Sequence, residues 1–265
     1  MDSNYLNVNR ALWDEKTKHH QYSDFYDMEG FLSGKTSLRE IELTALAPLV
    51  AGKSVLHLQC HFGQDSLSLA RMGAKVTGVD FSTTAIELAR SLNTQLGLDA
   101  QFVVSDVYGL PEVLKEKFDL VFTSYGVITW LPDLTRWASV IRQMLQPDGT
   151  FYLAEFHPTL YMYDHDKKEI GYRYFDHTKP YEEVETGTYA DADAPIQQRE
   201  FFWSHSLAGT IQPLLDQGLQ LKKFQEFDYS PYNCFPNMQE VGPSRFVYGD
   251  LEDRLPHVFS VEMGS

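Results

Sequence analysis

Ionisable and hydroxyl side chains follow the apolar segments in the first 160 residues of this 265-residue chain. They are His57–Gly63 (HLQCHFG), Asp80, Ser105-Asp106, Ser124-Tyr125-Gly126 and Glu155-Phe156-His157. An acid such as Asp80 can accept hydrogen bonds from both hydroxyls of a ribose, and Asp106 can accept one from an adenine amino group. Histidine ordinarily titrates near neutrality, so His157 is a candidate general base. The pattern predicts a nucleoside site with acid–base groups beside it.

A metal site is the alternative for the first of these stretches, because His57, Cys60 and His61 offer imidazole and thiolate groups. Such groups bind zinc well, but zinc sites usually add further ligands at recognisable spacing. The sequence offers no second cluster of that kind, since Cys234 stands alone. We therefore favour a cofactor loop and predict no metal site.

The elements that must position these groups alternate between strands and helices. The predicted strands are a first one opening at Val55-Leu56, then Lys75–Asp80, Gln101–Val104, Phe118–Ser124, Thr150–Ala154, Leu219–Tyr229 and His257–Met263. The predicted helices are Ser37–Leu46, Gln64–Met72, Ser82–Leu96, Leu134–Leu145 and His205–Gln217. This alternation predicts a parallel sheet covered on both faces, with ligands beyond the carboxyl ends of its strands.

The two ends of the chain differ from this regular middle part. Residues 1–50 are predicted to form an N-terminal helical lid, with aromatic residues Trp13, Tyr22, Phe25 and Tyr26 that could cover a ligand or simply pack on the domain. Residues 51–265 form the predicted main domain. Residues 158–203 lack helical periodicity and are rich in Tyr, Asp and Glu, so we expect an insertion of short strands that caps the substrate.

Charge and composition exclude several classes of partner. The net charge is -15, whereas nucleic-acid contacts need clustered Lys and Arg and anionic membranes attract basic surfaces. The two cysteines make no disulfide framework, and neither a secretory signal nor a membrane-spanning apolar run is visible. We expect a reduced, cytoplasmic protein without nucleic-acid or membrane partners, and leave a homodimer open.

Four stretches, in this order, resemble the class I S-adenosylmethionine-dependent methyltransferases. They are VLHLQCHFGQDSLSLARMGAKVTGVDFS (55–82), VVSDVYGLP (103–111), FDLVFTSYGVITWLPD (118–133) and LQPDGTFYLAEFHP (145–158). These are similar to the family's first-strand loop, ribose acid, adenine acid, fourth strand and fifth-strand hairpin. The resemblance implies an α/β fold, a doubly wound, seven-stranded, mostly parallel sheet of the Rossmann-like methyltransferase type with an antiparallel edge strand. It also implies S-adenosyl-L-methionine as cofactor.

The loop after the first strand departs from the family pattern. His57 stands for the usual acid, Gln59 and His61 stand for the first two glycines, and Gly63 alone is retained. The form LHLQCHFG is similar to that of a subgroup of bacterial methyltransferases, so we interpret it as a variant. The resemblance assigns cofactor binding to His57, Gln59, His61, Gly63, Asp80, Phe81, Ser105, Asp106, Val107 and Ser124.

The remaining candidate residues concern the methyl acceptor. We predict catalytic roles for His157 and Tyr125, and acceptor contacts for Trp130, Trp203 and His205. Each has a structural alternative, because a histidine at a strand end is often structural and an aromatic ring can simply fill the core or anchor the chain.

The predicted function is methyl transfer to a small-molecule acceptor. One alternative is a catalytically silent protein that binds S-adenosylmethionine. Another is a nicotinamide-dependent oxidoreductase, which would need a Gly-x-Gly-x-x-Gly loop where this chain has only Gly63.

Overall fold

Strands and helices alternate along the chain from Ser54 onward, in the computed structural model described here, which covers residues 4–164, 169–249 and 254–265. The strands are β1 Ser54–Leu58, β2 Lys75–Asp80, β3 Gln101–Val104, β4 Phe118–Ser124, β5 Leu145–Phe156, β6 Tyr163–Asp164, β7 Glu169–Ile170, β8 Tyr181–Thr186, β9 Gln197–Phe202, β10 Gln220–Phe227, β11 Met238–Gly242, β12 Arg245–Tyr248 and β13 Val258–Gly264. The helices are α1 Asn4–His20, α2 Met28–Leu32, α3 Glu40–Leu46, α4 Gln64–Arg71, α5 Thr83–Gln95, α6 Leu110–Val113, α7 Leu134–Met144, α8 Pro158–Tyr161 and α9 Leu207–Asp216, with 3-10 turns at Asp24–Tyr26 and Ile128–Trp130. Residues 1–3 of the predicted lid, 165–168 of the predicted insertion and 250–253 of the predicted main domain lie outside the described residues.

Seven strands form one sheet in the order β10-β13-β5-β4-β1-β2-β3. The pairs from β5 to β3 are parallel, whereas β13 is antiparallel to both β5 and β10. The predicted seven-stranded, mostly parallel sheet is therefore confirmed. The antiparallel strand is β13, which lies next to the edge strand β10. The resemblance implied an antiparallel strand at the edge itself.

Both faces of this sheet are buried, as a doubly wound fold requires. Along β1, Val55 belongs to the core cluster on one face, and Leu56 and Leu58 belong to the cluster on the other. The first cluster includes residues of α3, α4 and α5, and the second includes residues of α6, α7 and α9. The central strands β1 and β4 are apolar on both sides because helices cover both faces there, whereas the edge strand β10 is largely exposed.

Local sequence signals set most of the helix boundaries. The Ser82 hydroxyl accepts a hydrogen bond from the Ala85 backbone N–H at 3.0 Å and so caps α5 as predicted. Gly73 and Gly97, which follow α4 and α5, have φ values of 91° and 63°. Only glycine adopts this left-handed conformation freely, so these residues end the helices.

Two local predictions were wrong in detail. Helix α3 begins at Glu40 and not at Ser37, because Glu42 rather than Glu40 accepts the capping hydrogen bond, from the Arg39 backbone N–H at 2.5 Å. The fifth strand begins earlier than expected, at Leu145, which pairs with Phe118. Residues 146–149 then bulge out before Thr150 resumes the pairing opposite Leu120.

The N-terminal helix and the insertion lie against each other and cover the end of the sheet. The side chain of Asn9 in α1 pairs with the backbone of Phe201 in β9, with contacts of 2.8 and 2.9 Å. The carboxylate of Asp14 accepts hydrogen bonds from Ser82 and Thr84 at the start of α5, at 2.6 and 3.0 Å. No helix among the described residues is long and apolar enough to cross a membrane.

Candidate active site

A cavity of about 730 Å³ lies at the carboxyl ends of the parallel strands. The predicted site residues that line it are His57, Gln59, His61, Gly63, Asp80, Phe81, Ser105, Asp106, Val107, Ser124, Tyr125, Trp130 and Trp203. Two predicted site residues, His157 and His205, are not part of its lining. The carboxyl ends of strands β1 to β4 thus meet at one site, which is the arrangement expected of an open parallel sheet.

The loop after β1 has a left-handed backbone at two positions that carry no glycine. Gln59 and His61 have φ values of 54° and 51°, and Gly63 has a φ of 79°. A left-handed conformation costs a residue with a Cβ atom roughly 1–2 kcal/mol. Tertiary contacts must therefore offset the strain at Gln59 and His61.

Those contacts are visible for both side chains. The Gln59 side-chain amide donates to the Val127 backbone carbonyl at 2.9 Å, which ties the loop to the segment after β4. The His61 ring makes a 3.0 Å hydrogen bond with the ring of His20 in α1. Burial lowers the pKa of His61 to about 3, so its imidazole is neutral at physiological pH.

His57 occupies the position of the usual acid as a neutral, structural residue. Its Nδ1 lies 2.8 Å from the Ser66 hydroxyl of α4, and its ring stacks on Phe122 at 4.6 Å. Burial lowers the pKa of His57 to about 3. Its Nε2 is buried and has no hydrogen-bond partner within the protein.

Asp80 at the end of β2 is fixed by backbone N–H groups. Its two carboxylate oxygens accept hydrogen bonds from His61 and Ser82, both at 2.9 Å. Burial raises the pKa of Asp80 to about 6, although these hydrogen bonds oppose the shift. Each carboxylate oxygen has a second lone pair, so the group can still accept two more hydrogen bonds from a ligand.

The residues after β3 line the next part of the cavity. One Asp106 oxygen accepts the Gly109 backbone N–H at 3.0 Å, and the Ser105 hydroxyl donates to the Asp106 carbonyl at 2.8 Å. Asp106 therefore caps a turn and also faces the cavity.

A buried acidic pair lies behind the residues after β4. The Tyr125 hydroxyl donates to Glu42 in α3 at 2.8 Å, and Ser124 is hydrogen-bonded to Asp65 in the first turn of α4. Burial raises the pKa of Glu42 to about 8, and the nearby Asp65 raises it further. Asp65 also accepts a 2.6 Å hydrogen bond from Ser37. Tyr125 thus lines the cavity with a hydroxyl that is already engaged.

Glu155 at the end of β5 organises the segment after β4, a role that the sequence alone did not indicate. Its buried carboxylate accepts backbone N–H hydrogen bonds from Gly126 at 2.5 Å, Val127 at 2.9 Å and Ile128 at 3.2 Å. Burial nevertheless raises the pKa of Glu155. These contacts fix the turn that carries Trp130.

Aromatic side chains from three parts of the chain wall the second half of the cavity. The rings of Trp13 in α1 and Trp130 meet edge to face at 5.5 Å. Trp203 follows β9, and its backbone is joined to Thr129 by hydrogen bonds of 2.8 and 3.0 Å. The ring of Tyr5 in α1 meets that of Trp203 at 5.2 Å. The insertion and the N-terminal helix therefore close this chamber together.

The two histidines outside the cavity correct the predictions made for them. Nδ1 of His157 lies 2.7 Å from the Thr159 hydroxyl and its Nε2 lies 3.0 Å from Glu226, so the ring caps α8 and contacts β10. Nε2 of His205 lies 2.7 Å from the Leu131 carbonyl, and its Nδ1 lies 3.5 Å from Asp176. The structure places neither ring at the cavity, so both have structural positions.

The sequence analysis missed several residues that line the cavity. They are Tyr5, Lys16, Arg39 and Asp65, the insertion acids Glu183, Glu185 and Glu200, and Tyr232, Cys234 and Phe235 from the segment before β11. The aromatic run 229–235 was a local signal, but its approach to the cavity depends on tertiary contacts. Among the described residues, no group of three or more His, Cys, Asp or Glu could hold a metal ion.

Comparison with known proteins gives one family and a set of partial relatives. Residues 55–149 match the family described as a methyltransferase domain. A ubiquinone biosynthesis O-methyltransferase of Brucella anthropi is 34% identical over 112 residues, which are 42% of this chain and 44% of the relative. One from Pasteurella multocida is 27% identical over 148 residues, 51% of this chain and 61% of the relative. The alignments thus span about half the length of these curated relatives.

Solved structures extend the likeness to most of the fold. A methyltransferase structure from Listeria monocytogenes has a TM-score of 0.60 at 17% identity, covering 84% of this chain and 96% of its own. A glycopeptide N-methyltransferase in complex with S-adenosylmethionine has a TM-score of 0.52 at 17% identity, covering 84% of this chain and 85% of its own. The fold is that of these solved methyltransferase structures, which confirms the predicted fold class, and residues 55–149 match a methyltransferase domain, as the resemblance implied.

Proposed function

We propose that this chain is an S-adenosylmethionine-dependent methyltransferase that acts on a small-molecule acceptor. The observation that carries the proposal is the continuity of the cavity, which joins Asp80 and Asp106 to the aromatic chamber walled by α1 and the insertion. A donor and an acceptor held in one enclosed space gain a large effective molarity.

The residues at the strand ends fit the nucleoside part of the cofactor. Asp80 has two free lone pairs for the ribose hydroxyls, and Asp106 has a second oxygen that its turn does not use. Phe81 and Val107, the residues that follow these two acids, line the same part of the cavity with apolar surface for the adenine ring. The neutral imidazole of His57 keeps an unpaired nitrogen in this lining.

Two charged residues fit the amino-acid end of the cofactor, which the usual glycines do not serve here. Arg39 and Asp65 both line the cavity, and the Arg39 Nε is buried without a hydrogen-bond partner. A guanidinium is suited to a carboxylate and a carboxylate to an ammonium. We therefore assign the carboxylate of the methionine part to Arg39 and its amino group to Asp65.

The chemistry needs few catalytic groups from the protein. S-adenosylmethionine, when bound, supplies an electrophilic methyl group on a sulfonium, and the departing thioether is neutral. No oxyanion hole is required, so the residues of this chain mainly position the acceptor and exclude water. The rings of Trp13, Trp130 and Trp203 do both, because they close the chamber above the strand ends.

The acceptor itself must be found by experiment. The family match ends at residue 149, before the insertion that walls the acceptor chamber. The O-methyltransferase names of the curated relatives therefore support methyl transfer more strongly than they support a particular acceptor. Purified protein should be incubated with methyl-labelled S-adenosylmethionine and a metabolite extract, and the compound that gains the label should be identified.

A matched pair of variants tests the donor site in the same preparation. Asp80→Ala should weaken binding of S-adenosylmethionine in calorimetry by roughly 10-fold or more, the loss expected of two charge-assisted hydrogen bonds. Asp119→Ala is the control, because Asp119 also accepts a backbone N–H, that of Ser54 at 2.8 Å, but lies outside the cavity lining. Equal affinity in both variants would refute the ribose assignment, and tight binding without label transfer would indicate a silent binding protein.

A further inference from the structure

The acceptor chamber carries an unusual concentration of negative charge on the hairpin of β8 and β9. Glu183 and Glu185 in β8 and Glu200 in β9 all line the cavity, and Glu183 lies directly opposite Glu200 in the strand register. Like charges at opposed positions destabilise a strand pair by several tenths of a kcal/mol up to about 1 kcal/mol. The stability of the hairpin therefore gives no reason for this arrangement.

The ammonium group of Lys16 already lies in this chamber, which shows that the chamber walls can hold a cation. The Lys16 ammonium is 2.6 Å from Glu185 Oε2, and the lysine side chain is only 2% exposed. The same ammonium lies 4.8 Å from the ring centroid of Trp13, 5.3 Å from that of Trp130 and 6.0 Å from that of Tyr189. A carboxylate on one side and aromatic rings on the others form an environment that stabilises an ammonium.

Lys16 does not neutralise the acids around it. Burial raises the pKa of Glu200 to about 7, Lys16 opposes that shift, and Glu185 and Glu183 add to it. Across the whole cavity, seven carboxyl side chains and three side chains of Lys or Arg line the wall. Glu200 is therefore partly protonated at neutral pH and is hydrogen-bonded to Glu185, and a second cation placed beside these two side chains would favour their ionised forms.

A second feature of the chamber is independent of its charge. Trp203 is 4% exposed and lines the cavity, and its indole N–H is buried without a hydrogen-bond partner among the described residues. An unsatisfied buried donor costs about 1–3 kcal/mol, which a ligand with an acceptor atom would recover.

We propose that the acceptor is a small molecule with an amino group, which binds as an ammonium beside Glu185 and Glu200 against the aromatic wall and accepts a hydrogen bond from the Trp203 indole at another group. The ammonium has no lone pair, so it anchors the molecule and the methyl group goes to a different atom. This proposal rests on the proposed function, because it assigns a substrate class to the acceptor half of the same cavity. The ring faces of Trp13 and Trp130 hold the apolar part of the amine, and the carboxylates select for its charge.

Pairs of probes that differ only in charge test the proposal. Tryptamine and tryptophol form one pair, and phenethylamine and 2-phenylethanol form another. Binding of each is measured by calorimetry at neutral pH to protein saturated with S-adenosylhomocysteine. At least one amine should bind roughly 10-fold more tightly than its alcohol, the preference expected for a desolvated ammonium on carboxylate and aromatic groups.

Two glutamate variants of the same hairpin connect the preference to the chamber. Glu200→Gln should reduce the preference for the amine several-fold, whereas Glu182→Gln should leave it unchanged, because Glu182 pairs with Arg199 and is not part of the cavity lining. Lys16→Met should strengthen amine binding, since it leaves Glu185 without its ammonium partner.

The possible results separate this proposal from the proposed function. If no amine binds more tightly than its alcohol, including the case in which none binds, the amine proposal is wrong. It is also wrong if Glu200→Gln and Glu182→Gln behave alike. Failure of S-adenosylhomocysteine to bind would instead count against the proposed function, and the amine and alcohol titrations on the same protein would still decide the chemistry of the chamber.

Discussion

The imidazole rings of His20 and His61 are joined by a hydrogen bond of 3.0 Å between Nδ1 of His20 and Nε2 of His61. This bond connects the end of α1 to the loop after β1. The His61 backbone N–H in turn donates to Asp80 at 2.9 Å. The N-terminal helix is therefore linked through two hydrogen bonds to the acid assigned to the ribose, which supports the proposed lid role of residues 4–50.

This histidine pair predicts acid sensitivity. Burial, together with His61 and Lys16 nearby, lowers the pKa of His20 from its ordinary value of 6.5 to about 2. Because the folded-state pKa lies below that of the unfolded chain, the neutral ring contributes stability above pH 6.5 that is lost as the pH falls toward the folded pKa. The free energy of unfolding should lose about 1.4 kcal/mol per pH unit below about pH 6 through His20.

The variant His20→Gln isolates this contribution. Its unfolding free energy, measured with urea, should be lower than that of the natural chain at neutral pH, and the two values should converge between about pH 6 and about pH 4. His177→Gln is the comparison variant, because the His177 ring is only partly buried and its Nδ1 lies near the backbone of Lys179, two residues along the chain. A constant difference between His20→Gln and the natural chain across this range would contradict the prediction.

The buried Glu42 predicts a loss of stability on the alkaline side. Burial raises its pKa from an ordinary value of 4.5 to about 8. The protonated carboxyl therefore stabilises the folded chain fully below the unfolded-state pKa, and this contribution is lost as the pH rises through the folded-state value. Glu42→Gln keeps the shape and stays neutral, so its unfolding free energy should fall less than that of the natural chain between about pH 5 and about pH 8.

An exposed neighbour supplies the control for that experiment. Glu40→Gln is the comparison variant, because Glu40 is in the same helix and pairs with Arg245 at the surface. One Glu42 oxygen accepts from the Tyr125 hydroxyl and the other from the Arg39 backbone N–H, whereas glutamine has a single carbonyl oxygen for these two donors. The variant is therefore compared by the slope of its pH dependence and not by its absolute stability. Parallel curves for Glu42→Gln and the natural chain would show that the Glu42 carboxyl is ionised in the fold at neutral pH.

The sequence predicted the sheet and its helices because their signals are local. Ser82 caps α5, and Gly73 and Gly97 end helices, through contacts within a few residues. The position of Asp80 at a strand end followed from the same local pattern and from the general rule for parallel sheets. These features do not depend on knowing which distant parts of the chain meet.

The parts of the site that could not be predicted depend on long-range contacts. No propensity rule assigns a left-handed backbone to Gln59 and His61, which the fold retains through contacts with Val127 and His20. The position of Lys16 against Glu185 requires α1 to pack on the insertion, which sequence spacing does not reveal. His157 follows a strand that ends at the site, but its ring points to Glu226 and not to the cavity.

His157 is the clearest test of position against residue type. Both of its ring nitrogens have protein partners, and it lies outside the cavity lining. His157→Ala should lower the unfolding free energy by about 1–3 kcal/mol through the loss of the α8 cap and the buried contacts. Once an acceptor is known, the kcat of His157→Ala with that acceptor should stay within about 2-fold of the natural value, with an unchanged pH profile. A large drop in kcat together with a shifted pH profile would restore the base role.

The packing behind the loop after β1 leaves too little room for a Cβ atom on Gly63, which leads to a last prediction. A Cβ atom on Gly63 would lie 2.6 Å from the Phe102 ring and 3.1 Å from Ala89. Gly97 has a similar φ, 63° against 79°, but nothing lies within 4 Å of its Cβ position. Gly97→Ala should therefore cost only the backbone strain of roughly 1 kcal/mol, whereas Gly63→Ala should cost about 1–3 kcal/mol more through overpacking.

Replacing the Phe102 ring, which causes the clash, by a smaller side chain should separate the backbone strain at Gly63 from the overpacking. The double variant Gly63→Ala/Phe102→Leu should lose less unfolding free energy than the two single variants lose in sum. The reason is that the leucine leaves room for the added methyl group. The coupling is measured by urea unfolding of the four chains in a double-mutant cycle. If the two changes were simply additive, Gly63 would be required for its left-handed backbone alone, and the loop could then tolerate asparagine there as it tolerates Gln59 and His61 at their left-handed positions.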